Sequence, residues 1–291
     1  MRILDQFEYL DDFSEAEQSV IQWILVHKEE VLKMSTHQLA SVTFTSPATI
    51  VRLCQKLGLK GYNAFKIKLS SELEYLSHYE DLINANTPFK KEDDTLSVAK
   101  NLAQLTKDSI DETLSLLDID LIDRITSLLY NAKEIDLYAT SYPLLYAQDF
   151  GLKMNHIGAR VNVCTLHGEP IFQALNSNKD HCAILISYSG ETKSLIELAQ
   201  ILKTHHTPTI AITNVGQNQL ASLCDYVIHV SSREKIRSKI ANYSSQASIH
   251  FILDLLYSTY FKMDYDKNLI YKVSRENKID LRHSKLVTID E

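Results

Sequence analysis

Residues 187–192 read Ser-Tyr-Ser-Gly-Glu-Thr and directly follow the apolar run Cys182-Ala-Ile-Leu-Ile186. The hydroxyls of Ser187, Ser189 and Thr192, together with backbone N–H groups around Gly190, are donors that can wrap a phosphate. A helical pattern begins at once afterwards, with Leu195, Ile196, Leu198, Ala199, Ile201 and Leu202 at its apolar positions. The cluster therefore falls at a helix N-terminus, where unsatisfied N–H groups and the helix dipole favour an anion. Gly190 is expected to let that anion approach the backbone closely.

Such a cluster needs a strand to deliver it. Apolar runs at Ile135–Ala139, Val161–Cys164, Cys182–Ile186, Thr209–Thr213 and Tyr226–Val230 alternate with helical patterns. That alternation implies a five-stranded, mainly parallel sheet covered by helices on both faces. Ligands of such sheets bind beyond the carboxyl ends of the strands, where the strand order switches. The first strand ends in Ala139-Thr-Ser-Tyr-Pro143, which brings Thr140 and Ser141 into the candidate site. His167 and Glu169, after the second strand, either face the same crevice or belong to a solvated loop. Arg233, Glu234 and Lys235 follow the fifth strand and enter by position alone. Helical patterns at Leu96–Leu117 and Leu121–Tyr130 precede the sheet, and a long apolar one at Ser244–Phe261 follows it. His205 and His206 end a helix, where a surface position is expected rather than a metal site.

The segment from Val31 to Ser71 carries a different chemistry. It holds Lys33, Arg52, Lys56, Lys60, Lys66 and Lys68 with no acidic residue, a charge of +6 in a chain of net charge −7. The remainder is thus −13, and so uneven a distribution suits a nucleic-acid partner for this segment. Its pattern is that of two helices and a turn. Ser35 opens the first, Val42–Thr45 forms the turn, and Ser46 caps a second helix with Pro47 at its first position, running from Ala48 to Leu57 and stopped by Gly58. In a helix-turn-helix the second helix enters the major groove with its N-terminal turn. Ser46, Pro47, Thr49 and Arg52 are expected to face DNA, with Arg52 long enough to grip guanine through two hydrogen bonds. Thr45, Lys56, Lys60 and Tyr62 are the expected phosphate-backbone contacts. Leu39, Ala40, Ile50, Leu53, Leu57 and Leu59 have core spacing. A capping box at Ser14 and Glu17 starts an earlier helix. A later one, from Gly61 to about His78, should bury Phe65, Ile67, Leu69, Leu73 and Leu76.

These patterns divide the chain into a helix-turn-helix domain (1–77), a polar linker (78–95), an α/β domain (96–262) and a charged tail (263–291). With 45% hydrophobic and 23% charged residues the chain has a globular composition. No apolar run approaches the roughly 20 residues that cross a bilayer, and the N-terminus lacks a secretory core, so a cytoplasmic protein is expected. The four cysteines, at 54, 164, 182 and 224, form no close pair and are expected to be free thiols. Neither a metal nor a cofactor is expected.

The run Leu39-Ala40 … Ser46-Pro-Ala-Thr-Ile-Val-Arg52-Leu-Cys-Gln-Lys-Leu-Gly58-Leu-Lys-Gly61-Tyr62-Asn-Ala-Phe65 resembles the N-terminal domain of the RpiR/MurR bacterial transcriptional regulators. The resemblance spans roughly residues 1 to 260. It implies a C-terminal sugar isomerase (SIS) domain that holds a phosphosugar through the Ser-x-Ser-Gly-x-Thr turn. It also implies a homo-oligomer, dimer or tetramer, on palindromic operator DNA. One loop departs from the family. Lining up Ala147-Gln-Asp149 and Ile157-Gly158 puts Ala139 and Ser141 on two family glycines and Pro143 on a ligand-contacting serine, so one contact is missing unless Thr140 or Ser141 replaces it. The leading expectation is a non-enzymatic regulator of carbohydrate-metabolism genes tuned by a phosphosugar. The alternatives are a sugar-phosphate isomerase, with His167, Glu169 and Glu234 as the only nearby bases, or a DNA-binding protein whose SIS fold serves oligomerisation alone.

Overall fold

The computed structural model describes residues 3–7, 13–77, 82–166, 168–216, 218–231 and 233–279. The chain divides between Ile83 and Asn84 into two compact units.

The first unit is helical: α1 (Ile3–Gln6), α2 (Glu15–Val26), α3 (Lys28–Lys33), α4 (Thr36–Val42), α5 (Pro47–Lys56) and α6 (Tyr62–Ser77). Its helix starts are written locally. Ser14 with Glu17, and Ser35 with Gln38, form reciprocal capping boxes on α2 and α4. At α5 the Ser46 hydroxyl accepts from Thr49 N at 3.1 Å. The helix closes through Gly58 at φ 76°, where Gly58 N donates to Gln55 O and Leu59 N to Cys54 O, both at 2.9 Å. This reversal satisfies carbonyls that the last turn leaves open, and the left-handed backbone is why glycine stands there. Ile21, Ile24, Val31, Leu39, Ile50, Leu53, Phe65 and Leu69 form one core. The Glu72 carboxylate ties α1 to α6 by accepting from Ile3 N and Leu4 N at 2.7 and 3.2 Å. One expected core position fails: Ile67 is 73% exposed. Phe65 and Leu69, four apart, share the inward face, and Ile67 lies midway between them on the opposite one. The Leu76 side chain lies outside the described residues.

The turn between α4 and α5 holds Phe44 at φ 52° with 97% of its surface exposed. A left-handed conformation costs an L-residue about 1–2 kcal/mol, part of which glycine regains and part of which it loses to chain entropy. Phe44→Gly should therefore leave the first unit as stable or up to about 1 kcal/mol more stable, read by urea titration of the two chains. A loss above that size would mean that the ring is buried in solution.

The second unit starts with α7 (Thr95–Ser115) and α8 (Ile119–Asn131). It alternates through β1 (Glu134–Ala139), α9 (Tyr142–His156), β2 (Val161–Val163), α10 (Pro170–Asn176), β3 (His181–Ile186), α11 (Lys193–Thr204), β4 (Thr209–Asn214), α12 (Gln219–Leu223) and β5 (Tyr226–Val230), and ends with α13 (Tyr243–Met263) and α14 (Tyr265–Ile279). The sheet order is β2-β1-β3-β4-β5 and each neighbouring pair is parallel. The central strands β3 and β4 are mostly apolar and almost wholly buried because both of their faces are covered. Ile135, Leu137, Ile184, Ile186, Ile210 and Ile212 pack with residues of α8, α9 and α13, while Tyr138, Ala183, Leu185 and Ala211 pack with residues of α10, α11 and α12. The chain leaves β1 toward β2 and then returns to β3 on the other side of β1, so the order switches between β1 and β3.

The expected linker takes a different form over its described part. Ala85 and Pro88 are buried, and Asn86 is hydrogen-bonded within the second unit, so this stretch is docked rather than solvated. The expected tail begins as helix α14, and residues 280–291 lie outside the described residues.

Candidate anion cleft and DNA-reading helix

The carboxyl ends of β1 and β3, the two strands at the switch point, open onto a cleft of about 280 Å³. Thr140, Ser141, Ser187, Ser189 and Thr192 line it together, as the sequence predicts, and Pro143 lines it as well. Ser187 Oγ lies 2.9 Å from Thr192 Oγ1 and accepts from Gly190 N at 3.2 Å. Ser189 Oγ accepts from Glu191 N at 3.2 Å. Thr192 is the N-cap of α11, so the first-turn N–H groups, the ones a helix leaves open, point toward the same end.

Gly190 has a structural reason to be glycine besides the expected one. Its φ is 68°, and a Cβ placed there would meet Asn218 Oδ1 at 2.0 Å. Glycine is required because Asn218, the N-cap of α12, fills the space behind the turn, and no closer approach by an anion is needed to explain it. Around it, Leu220 N donates to Gly190 O and Asn214 N to Tyr188 O, each at 3.0 Å, bracing the turn from β4 and α12.

One expected neighbour of the cleft, Glu169, lies apart from it. Glu169 is exposed at the N-terminal end of α10 and is absent from the cleft lining; Gly168 and Pro170 beside it line a second, mainly apolar cavity of about 550 Å³ with Leu144, Cys164, Leu195 and Leu198. His167 lies outside the described residues. Of the residues after β5, Glu234 turns inward: its carboxylate accepts from Ser244 N, Ser245 N and Ser245 Oγ and caps α13. Sequence reasoning missed Lys239, the one charged side chain among the described residues lining the cleft. Its Nζ lies 3.1 Å from Glu234 Oε2 and 5.4 Å from the centre of the Tyr188 ring. Lys239 sits in an irregular loop, so no periodicity singles it out; its spacing of five from Glu234 is the only sequence trace.

Ser141 has φ 59° and ψ −137°, a combination close to the region that only glycine occupies comfortably. That matches its alignment to a family glycine. Ser141→Gly should raise stability by about 1 kcal/mol, or roughly 2–4 °C in Tm, in a thermal melt. No gain would mean that its hydroxyl contributes as much as the backbone loses.

On the first unit, Arg52 and Lys60 are exposed as expected, and Ser46 and Pro47 open α5. Thr49 and Tyr62 require correction. Thr49 is only 7% exposed and its Oγ1 lies 3.0 Å from Ser46 Oγ, so the two hydroxyls serve the cap. Tyr62 is 6% exposed and donates its OH to Val31 O at 3.1 Å; burial pushes its pKa up to about 12, so the phenol joins the core of the unit. Lys56 is exposed as expected, and its Nζ lies 3.2 Å from Glu17 Oε2 within its own unit. Thr45 Oγ1 lies 2.9 Å from Thr43 Oγ1 and is half-buried. The polar residues thus hold the turn together, while Phe44 on the turn and Arg52 on α5 are exposed.

Burial also pushes the Cys54 thiol up to about 11 and that of Cys224 up to about 12. All four cysteines are free. Among the described residues, two groups of side chains have metal-ligand chemistry, Glu134/Asp136/His181 and Asp149/His250/Asp254. Asp136 is already met by Asn162, Ser177 and His181, and Lys153 Nζ stands 2.6 Å from both Asp149 and Asp254. Neither group contributes to the cleft.

Comparison with known proteins follows the same division. Residues 1–75 match the profile of the helix-turn-helix domain of the rpiR family, and residues 128–259 match the SIS domain. An HTH-type transcriptional regulator of Caldanaerobacter subterraneus is 30% identical over 279 residues, covering 94% of this chain and 95% of the relative. One from Clostridium perfringens is 27% identical over 96% of this chain and 99% of the relative. The Vibrio vulnificus NanR protein, solved with ManNAc-6P, superposes with a TM-score of 0.62 at 22% identity over 97% of this chain and 99% of that one. A helix-turn-helix unit, a parallel sheet with a hydroxyl-lined cleft at its switch point, and full-length relatives of that architecture lead to one conclusion: the chain belongs to the rpiR family of HTH-type transcriptional regulators.

Proposed function

We propose that this regulator binds palindromic operator DNA as a homo-oligomer and that a sugar phosphate held in the second unit's cleft changes its operator affinity. The observation that carries the reading is the convergence of Ser187, Ser189, Thr192, the α11 N-terminus and Lys239 on one cleft at the β1/β3 switch point. Hydroxyls, helix N–H groups and one ammonium are the donor set for a phosphate dianion. Thr140 and Ser141 stand in for the contact that Pro143 cannot make. Arg52 reads a base edge, and Lys60, Ser46 and Thr45 lie at the phosphate backbone. Two copies would present their reading helices to half-sites about 34 Å apart, one turn of duplex. NanR, solved with ManNAc-6P, supports the choice of ligand class.

A regulatory role fits the cleft better than catalysis. Sugar-phosphate isomerisation needs a base beside the reacting carbon. Glu234 is committed to the α13 N-terminus and Lys239, and Glu169 stands outside the cleft.

Calorimetry of the full chain against hexose, pentose and N-acetylhexosamine phosphates tests the reading. One member should bind, and Ser189→Ala should weaken it about tenfold, the value of a hydrogen bond to a charged group. Absence of heat with every member would favour a SIS fold kept for oligomerisation alone.

A further inference from the structure

The segment that follows the first unit is fastened to the loop that overhangs the cleft. Asn86 stands three residues past the boundary at Ile83. Its Oδ1 accepts from Lys235 N at 2.7 Å, its backbone carbonyl accepts from Ile240 N at 2.9 Å, and its Nδ2 reaches Arg233 O at 3.4 Å. One residue thus bridges both ends of the stretch 235–240. Ile236 and Lys239, within that stretch, line the cleft. Asn86 is itself held in place, because the Asn84 side chain accepts from Asn86 N at 2.9 Å and Ala85 is buried.

The same loop is joined to the anion-binding turn. Tyr188, in the middle of that turn, donates its OH to Glu234 O at 2.9 Å and accepts from Glu234 N at 3.1 Å. The base of the loop is anchored elsewhere: Ser231 Oγ donates to Glu112 on α7 at 2.7 Å, and Glu234 caps α13. With its root held, the part of the loop able to respond to a ligand is the stretch whose two ends meet at Asn86.

We propose that Asn86 is the positioning residue that couples occupancy of the cleft to the segment leaving the DNA-reading unit. The inference rests on the sugar-phosphate reading of the cleft. An anion seated among Ser187, Ser189 and Thr192 attracts the Lys239 ammonium, which otherwise pairs with Glu234 at 3.1 Å. Lys239 is bonded in sequence to Ile240, whose N–H is held by Asn86, so displacement of the ammonium loads that hydrogen bond. Residues 84–88 shift with it and carry the change toward Ile83. Coupling requires only that the two states of the loop differ in their affinity for the anion.

Hydrogen–deuterium exchange on the full chain, with and without inorganic phosphate or a panel of sugar phosphates at saturation, tests this. In the wild-type chain, ligand should alter exchange at 187–192, at 233–240 and at 84–90 together. Asn86→Ala should keep the response at 187–192 but reduce that at 84–90 about tenfold, a typical coupling, and Asn86→Asp, which keeps the acceptor for Lys235 N, should recover most of it. Ile240→Pro, which removes the N–H that the Asn86 carbonyl accepts and touches no residue lining the cleft, should give the same separation even if Asn86→Ala does not fold. An unchanged response at 84–90 in Asn86→Ala and Ile240→Pro overturns the coupling and leaves the cleft assignment intact. No response at 187–192 in the wild-type chain with any ligand overturns the cleft assignment and the coupling with it.

Discussion

Gly190→Ala should destabilise the second unit by about 3 kcal/mol or more, combining the cost of a left-handed alanine with that of overpacking. The reason is local and severe, since the added Cβ would fall 2.0 Å from Asn218 Oδ1 on a backbone at φ 68°. Relief requires moving Asn218, which accepts from Ala221 N at 2.9 Å and donates to Thr213 Oγ1 at 3.1 Å, so the α12 cap and the end of β4 are disturbed together. Tm should fall by roughly 6–12 °C, and sugar-phosphate binding should fall with it. Gly58→Ala is the control: its φ is 76° but a Cβ there meets nothing within 4 Å, so only the conformational cost of about 1 kcal/mol applies. Equal losses for the two variants would show that Asn218 does not stand behind the turn in solution.

Arg52→Ala should weaken binding to the preferred duplex by about ten- to a hundredfold, the cost of losing a two-point contact to guanine. Arg52 is exposed on α5 about one turn past Thr49, while Ile50 and Leu53 on either side face the core. Replacing it leaves the hydrophobic contacts of the helix untouched, so the melt should be unchanged. Arg52→Lys should restore little, because a point charge does not reproduce a planar fork. Lys60→Ala should instead weaken all sequences alike and lower the salt slope by about one. Fluorescence anisotropy on a duplex selected by the full chain from a random library separates these cases. Wild-type affinity in Arg52→Ala would move base reading to another part of the first unit.

The sheet and the helix starts were legible because each is a short-range property. A strand buried on both faces must be an apolar run, and Cys182–Ile186 has no other comfortable place. Ser46-Pro47 and the Ser14/Glu17 pair carry their caps within four residues, and both form as expected. The cluster at Ser187–Thr192 was equally plain, since strand, turn and helix are contiguous. What sequence did not reveal is which way a polar residue turns. Thr49 and Tyr62 have hydroxyls suited to phosphate, yet each meets a partner inside its own unit, Ser46 and Val31. Lys56 illustrates the same limit, because its partner Glu17 lies on another helix. Lys239 and Asn86 were invisible for a related reason. Their roles depend on contacts between loops far apart in sequence, where no period leaves a trace.

The hydrogen bonds at Asn86 have no preferred direction. Whatever free energy an incoming metabolite transmits outward through Ile240, the seated operator must return inward by the same amount, because linked equilibria are symmetric. Promoter occupancy would then tune the avidity of each protein copy for its metabolite. Copies on the chromosome and copies free in solution would titrate at different concentrations, and a cell would obtain two thresholds from one gene product.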